Sequence, residues 1–298
     1  MLAMVLLFAA RSGALQAVLD ILTGHQLPVS GPPVAATHPK LSEHNIEWLK
    51  QQPAQEQAEF LLSSAINHDE GATALIDQSV PQWRGQIERT RKWQDLETVA
   101  LYSNDLRVRA AAIEINLAVN KLDKSDETAE RMIEAARQDA QYRHWAAWEL
   151  GMLANRGVSV ERIHQQLAEW IHDPDQQTRF WSVEGLAHIG TDDTIANFLD
   201  VFRNDPSLDV RERAGCSLAK SGMMTREQRM KAVPGLLDLT DDPSLDPTTR
   251  GWIYQALREI TDETLPNDPG AWRTWFGAHG AERTRQFSSS GSSVLGNS

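Results

Sequence analysis

The sequence predicts an all-α fold, a right-handed α-α superhelix of stacked helix pairs, on three observations. An arginine frame recurs: Arg109, Arg143, Arg179, Arg211 and Arg250 stand 34, 36, 32 and 39 residues apart, a period that marks a solenoid. The residues behind each arginine keep helical spacing. After Arg179 come Ser182 at +3, Leu186 at +7, Ile189 at +10 and Gly190 at +11, where a glycine closes the helix. Arg211 repeats this with Ala214, Leu218 and Gly222, Arg143 with Ala146 and Leu150, and Arg250 with Leu257, whereas Arg109 has Ala112 at +3 but Asn116 at +7. Asp173-Pro174 and Asn204-Asp205-Pro206 supply turns in which a proline can open the next helix.

These residues carry a resemblance. Asp105-Leu106-Arg107-Val108-Arg109 and Asp209-Val210-Arg211 look like a D-x-x-V-R lead into a second helix, and Leu186-Ala187-His188-Ile189-Gly190 looks like an L-x-x-I-G exit. Both are similar to the HEAT-repeat superfamily, in particular to the short bacterial HEAT-like repeats also found in phycobilisome lyases. The resemblance covers residues 104–276 and implies the fold, with the arginines tying neighbouring repeats through aspartates. It implies little about function, because scaffolds, transport adaptors, lyases and DNA-repair proteins share this backbone. The tetratricopeptide order W-x-x-L-G-x-x-Y is absent.

Taken in order, residues 1–27 are apolar, with Leu2 to Ala10 and Ala14 to Leu22 interrupted by Arg11-Ser12-Gly13 and by Asp20. The run is too broken for a spanning helix, and no basic residue precedes it as in a signal peptide. Export or anchoring, a helix packed on the body and a mis-set start all fit. The Pro-rich stretch 28–40 reads as a linker and favours the first, a membrane tether or export over a cytoplasmic location. Residues 41–103 read as a helical cap or divergent first repeat. Ser42 caps one helix, Pro53 opens another with Ala58, Phe60, Leu61, Leu62, Ala65 and Ile66 on its core face, and Asp69 to Gly71 break it. A charged helix is expected from Arg84 to Leu101, with Trp93, Leu96, Val99 and Ala100 inward. Regular pairs follow, with inner helices near 106–120, 141–155, 175–189, 207–221 and 247–261, and outer ones near 126–139, 159–172, 192–203 and 225–239. Pro234 should bend the last outer helix. Trp272, Trp275 and Phe276 form a lid on the last repeat, and the Ser- and Gly-rich tail 277–298 reads as disordered.

The 298 residues carry a formal charge of −12. Residues 1–40 and 277–298 are each +1, so the body between them is −14, which argues against nucleic acid as a general partner. With Cys216 the single cysteine, there is neither a disulfide framework nor a thiolate zinc site. The signatures of nucleophile-elbow hydrolases, P-loop NTPases, zincins and dinucleotide-binding enzymes are absent. So are the His-Glu dipeptides with which deoxyhypusine hydroxylase, a HEAT enzyme, holds two irons. Glu184 and His188, four apart, could ligate a metal but are two ligands only, and a solvated pair explains them better. His68 beside Asp69 and Glu70 is first a turn signal. No metal and no cofactor is expected.

Aromatic residues exceed what packing alone asks for. There are ten tryptophans, and Trp145, Trp181 and Trp252 share position +2 of three inner helices, a position that is small in HEAT-like repeats. His144 and Phe180 at +1 and Trp148 at +5 adjoin them. Inner helices line the concave surface of such a solenoid, so these rings either fill the seams between repeats or form a ladder along the groove. An exposed ladder in an acidic groove suits a protein or peptide with basic or apolar groups. The expected function is a non-catalytic interaction scaffold that binds such a partner through Trp145, Trp148, Trp181, Phe180, His144, Glu184, His188 and Trp252. The alternative is a lyase-like or other small-ligand activity housed in the groove.

Overall fold

Side-chain caps mark where the helices begin. Ser42, Thr90, Asp105, Ser125, Asp139, Asp175 and Asp246 each accept a backbone N–H from the first turn of the helix that follows, satisfying donors that no helical carbonyl reaches. The computed structural model describes residues 39–295. The apolar segment expected over 1–27 and all but the last two residues of the expected linker lie outside the described residues. Those last two are docked: the Glu70 N–H donates to Pro39 O at 3.0 Å, and the Leu41 N–H to Glu70 O at 3.3 Å.

The N-terminal helices are α1 (Glu43–Leu49), α2 (Ala54–Ile66), α3 (Ala72–Trp83), α4 (Arg91–Leu101) and α5 (Leu106–Val119). They pack on one another around Leu61, Leu62, Ile76, Trp83, Ile87 and Trp93, all fully buried. The helix expected from Arg84 starts only at Arg91, because Gly85 at φ 78° turns the chain and drops Ile87 into the core. Val99, expected inward, is 54% exposed.

Helix pairs follow. The outer helices are α6 (Asp126–Gln138), α8 (Val160–Trp170), α10 (Thr194–Asn204), α12 (Arg226–Met230) and α13 (Val233–Thr240). The inner helices are α7 (Ala140–Asn155), α9 (Gln176–Ile189), α11 (Leu208–Ala219) and α14 (Pro247–Thr261), each stacked on the next to give an α-α solenoid. Pro234 does more than bend the last outer helix: the chain breaks into α12 and α13, and the proline sits in the first turn of α13, where its missing N–H costs nothing. Gly190 closes α9 at φ 73°, as a left-handed cap requires.

Arginines of the frame tie the repeats. Arg143 Nη1 donates to Asp173 at 2.6 Å, and Arg211 Nη1 to Asp246 at 3.1 Å. Arg179 holds Asp205 with two bonds of 2.8 and 3.2 Å, both side chains being buried. Arg250, with no repeat beyond it, donates to the carbonyls of Asp242 and Leu245 at 3.0 Å.

Arg109 departs from this pattern, and α5 departs with it. Instead of an aspartate one repeat on, Arg109 donates to the carbonyls of Lys220 and Gly222, beyond the end of α11. Glu114 lies 3.5 Å from Arg156, just past α7, and Asn120, at the end of α5, donates to Glu149 within α7 at 2.9 Å. Helix α5 therefore crosses the C-terminal ends of the inner helices rather than opening the row, and it packs with α2, α3 and α4. From Val108 to Val119 every residue but Ala110 is buried, as a helix covered on both sides must be.

The chain closes with α15 (Pro269–Leu295). Trp272 is fully buried and its Nε1 donates to Pro266 O at 2.9 Å, while Trp275 and Phe276 are half-buried. The disorder expected over 277–298 is corrected through Leu295. Arg283 donates to Thr261 O at 2.6 Å and pairs with Glu263, while Phe287 is buried beneath the Arg226 guanidinium at 3.8 Å.

Candidate partner-binding surface

A helix turns by about 100° per residue, so positions +2, +5 and +9 fall opposite the core positions +3, +7 and +10. Trp145, Trp148, Trp181, Glu184, His188 and Trp252 thus share the face turned away from the outer helices. The structure brings four of the predicted rings together in a chain across α7 and α9. Phe180 meets Trp181 at 5.5 Å between centroids, Trp181 meets Trp148 at 5.6 Å and Trp148 meets His188 at 4.5 Å, all edge to face. Edge-to-face pairs add about 0.5–1.5 kcal/mol each beyond area burial. Trp145 pairs within its own helix, with Tyr142 at 5.3 Å, and Trp252 on α14 stands outside the chain of rings. Phe180, Trp181, Trp145, Trp148 and Trp252 are all half-buried against the core. Trp148 lies between Trp181 and His188.

Polar groups frame the rings. His144 Nε2 lies 2.8 Å from Asp175 Oδ2. The backbone N–H of Thr178, at the start of α9, holds the Asp175 carboxyl down at about 2, helped by His144. Glu184 and His188 are not the solvated pair their spacing suggests. Both are buried, and Glu184 forms its ion pair with Arg213 on α11. Burial pushes the Glu184 carboxyl up, against the pull of Arg213. Neither ring nitrogen of His188 has a hydrogen-bond partner among the described residues, and burial, reinforced by the charges of Arg213 and Arg109, pushes its pKa down to about 3. It is neutral at physiological pH.

Residues 128–219 match the family model described as HEAT repeats. These residues are HEAT repeats. The matched stretch runs from the first turn of α6 to the end of α11 and contains the whole Phe180–Trp181–Trp148–His188 chain, while α5 and Trp252 lie outside it. No curated protein matches the chain significantly. Among solved structures, an engineered protein matches with 16% identity over 73% of this chain and 95% of its own, at a TM-score of 0.33.

Two surface depressions lie apart from the rings. One, of about 340 Å³, sits along the HEAT-repeat edge among His172, Asp173, Arg179, Asp200 and Asp205. The other, of about 280 Å³, is formed by Trp275, His279, Arg283 and neighbours on α15 with Glu263. Among the described residues no group of three or more His, Cys, Asp or Glu could hold a metal, and no helix is long and apolar enough to cross a membrane.

Sequence reasoning missed two groups. Arg213 takes position +2, where three other inner helices carry tryptophan, and that exception was its signal. Glu97, Asn120 and Glu149 gave none of their own. Asn116, a polar residue at the core position +7, pointed to them.

Proposed function

We propose that the HEAT-repeat body is a scaffold that binds a protein or peptide partner across the N-terminal halves of α7 and α9, through Trp145, Phe180 and Trp181. The observation that carries this reading is the half-buried chain of rings spanning two HEAT repeats on the face away from the outer helices. Trp83, Trp93 and Trp272, by contrast, are fully buried. Asp139 and Asp175, both exposed, cap the two helices beside the rings. Apolar rings next to carboxylates suit a segment with Lys or Arg beside an apolar side chain. A lyase-like or small-ligand activity in the groove has no comparable observation behind it.

The test is affinity capture from extract of the native organism with Trp181→Ala and Trp145→Ala proteins, each checked by denaturant unfolding. The reading expects both to remain folded and to lose the same co-purifying protein. Folded variants that retain every partner would refute it.

A further inference from the structure

Where α4 and α5 meet α7, four polar side chains form a continuous relay, Asn116 and Glu149 buried and Glu97 and Asn120 half-buried. Asn116 on α5 donates its amide to Glu97 on α4. Asn120, one turn on, donates to Asn116 Oδ1 at 2.9 Å and to Glu149 Oε1 on α7 at 2.9 Å. Glu149 is completely buried, and its second oxygen, Oε2, has no hydrogen-bond partner among the described residues. One cation serves the relay. Arg89, in the turn before α4, donates to Asn120 Oδ1 at 3.3 Å and lies 4.0 Å from Glu149 Oε1. Two ionised carboxylates against one exposed guanidinium would leave an unbalanced negative charge on the fully buried Glu149, which is costly. One proton shared by the pair balances the charge.

We propose that the Glu97–Asn116–Asn120–Glu149 relay is a proton-operated latch between the N-terminal helices and the HEAT repeats: it holds α5 against α7 while one proton is retained and loosens that seam when the proton is lost.

The groups around Glu149 agree. The charges that act on it are Glu97 from α4 and Arg89 from the turn. Its own helix adds Tyr142, α6 brings Arg131 toward that tyrosine, α5 presents the neutral amides, and α9 contributes His188, neutral, against Trp148. Burial first, and the charge of Glu97 second, push the Glu149 carboxyl up to about 8 against the pull of Arg89. Burial likewise raises Glu97. Opening the seam returns Glu149 to its ordinary value near 4.5. The open form is therefore favoured by about tenfold per pH unit from 4.5 up to about 8, after which the effect levels off. Since α5 also reaches His188 and the end of α11 through Arg109, release would uncover the C-terminal halves of the inner helices.

Hydrogen exchange of residues 106–120, corrected for the intrinsic pH dependence of amide exchange, tests this with the full chain between pH 6.5 and 8.5, above the range in which an uncovered His188 takes up a proton. Wild-type protection factors should fall about tenfold per pH unit and flatten above pH 8. Glu149→Gln should give protection that does not change with pH. Glu97→Gln should keep the fall but flatten at a lower pH, because the like charge is gone, and it serves as the second variant if Glu149→Gln does not fold. Constant wild-type protection, or a decline that Glu149→Gln reproduces, would overturn the latch. No partner is needed, so failure here leaves the reading of the aromatic rings untouched.

Discussion

Replacing Arg179 by alanine strikes the most buried of the ties between HEAT repeats. Its guanidinium makes two bonds to Asp205 and donates to the carbonyls of Asp173 and Pro174 at 3.0 and 3.2 Å. The side chains are 8% and 2% exposed. After the substitution Asp205 keeps the Ser207 N–H on Oδ1, at 2.8 Å, and its Oδ2 is left as a buried charged oxygen with nothing to accept from. Removing one partner of such a pair costs about 3–5 kcal/mol. Arg211 is the internal control. Its pair with Asp246 is 18% and 37% exposed, and Asp246 also accepts from Thr248, Thr249 N–H and the Thr249 hydroxyl, so Arg211→Ala should cost about 1–2 kcal/mol. Urea unfolding followed by circular dichroism reads both. Adding Asp205→Ala to Arg179→Ala should cost less than the sum of the single changes, because the orphaned carboxylate goes with its partner. If Arg179→Ala lies within about 1 kcal/mol of wild type, or Arg211→Ala costs as much as Arg179→Ala, the burial argument fails.

Other expectations follow from the same packing. Helices α7 and α9 touch backbone to backbone, and a Cβ on Gly185 would run into the Ala147 carbonyl and lie 2.9 Å from Leu167 Cδ1, so Gly185→Ala should cost about 3 kcal/mol in urea unfolding. Trp148→Ala, emptying a slot between two rings, should lower stability by about 2–3 kcal/mol, more than Trp145→Ala, in the same measurement. His188, with its pKa held near 3 in the fold, must take up a proton on unfolding below its ordinary value. Its contribution is therefore present above pH 6.5 and lost by up to about 1.4 kcal/mol per unit as pH falls toward 3. Glu149 has the opposite sign between 4.5 and 8, so the two slopes offset each other between pH 4.5 and 6.5. His188→Leu should then unmask a stability that falls with rising pH across that window, and Glu149→Gln one that rises.

The repeat array was legible because each of its determinants is local. Arginine, small residue, leucine and glycine recur at fixed offsets, and aspartates just before the inner helices receive the arginines, Asp246 also capping α14. What escaped is non-local. Arg109 and Ala112 satisfy the frame as well as their counterparts do, yet α5 turns across the ends of the inner helices. The sign of it was Asn116 in place of leucine, which would orphan an amide in a repeat core but finds Glu97 and Asn120 where it lies. The tail misled for the reverse reason. Its serines and glycines are poor helix formers, but Arg283 and Phe287 anchor α15 to Thr261 and Arg226, contacts that composition does not encode. Among the site residues, Glu184 and His188 read as a solvated pair because an isolated helix face ignores its neighbours, and here both are buried, Glu184 against Arg213.

The central claim is that the rings on the HEAT repeats meet a partner, and site-specific photo-crosslinking in the native organism tests it most directly. A photoreactive phenylalanine analogue would replace Trp181, beside Phe180 on the inner layer, and in a control protein would replace Arg162 on the outer helix α8. The account predicts a discrete covalent adduct of one partner from position 181 and none from position 162. Adducts from neither position, or the same adducts from both, would contradict it.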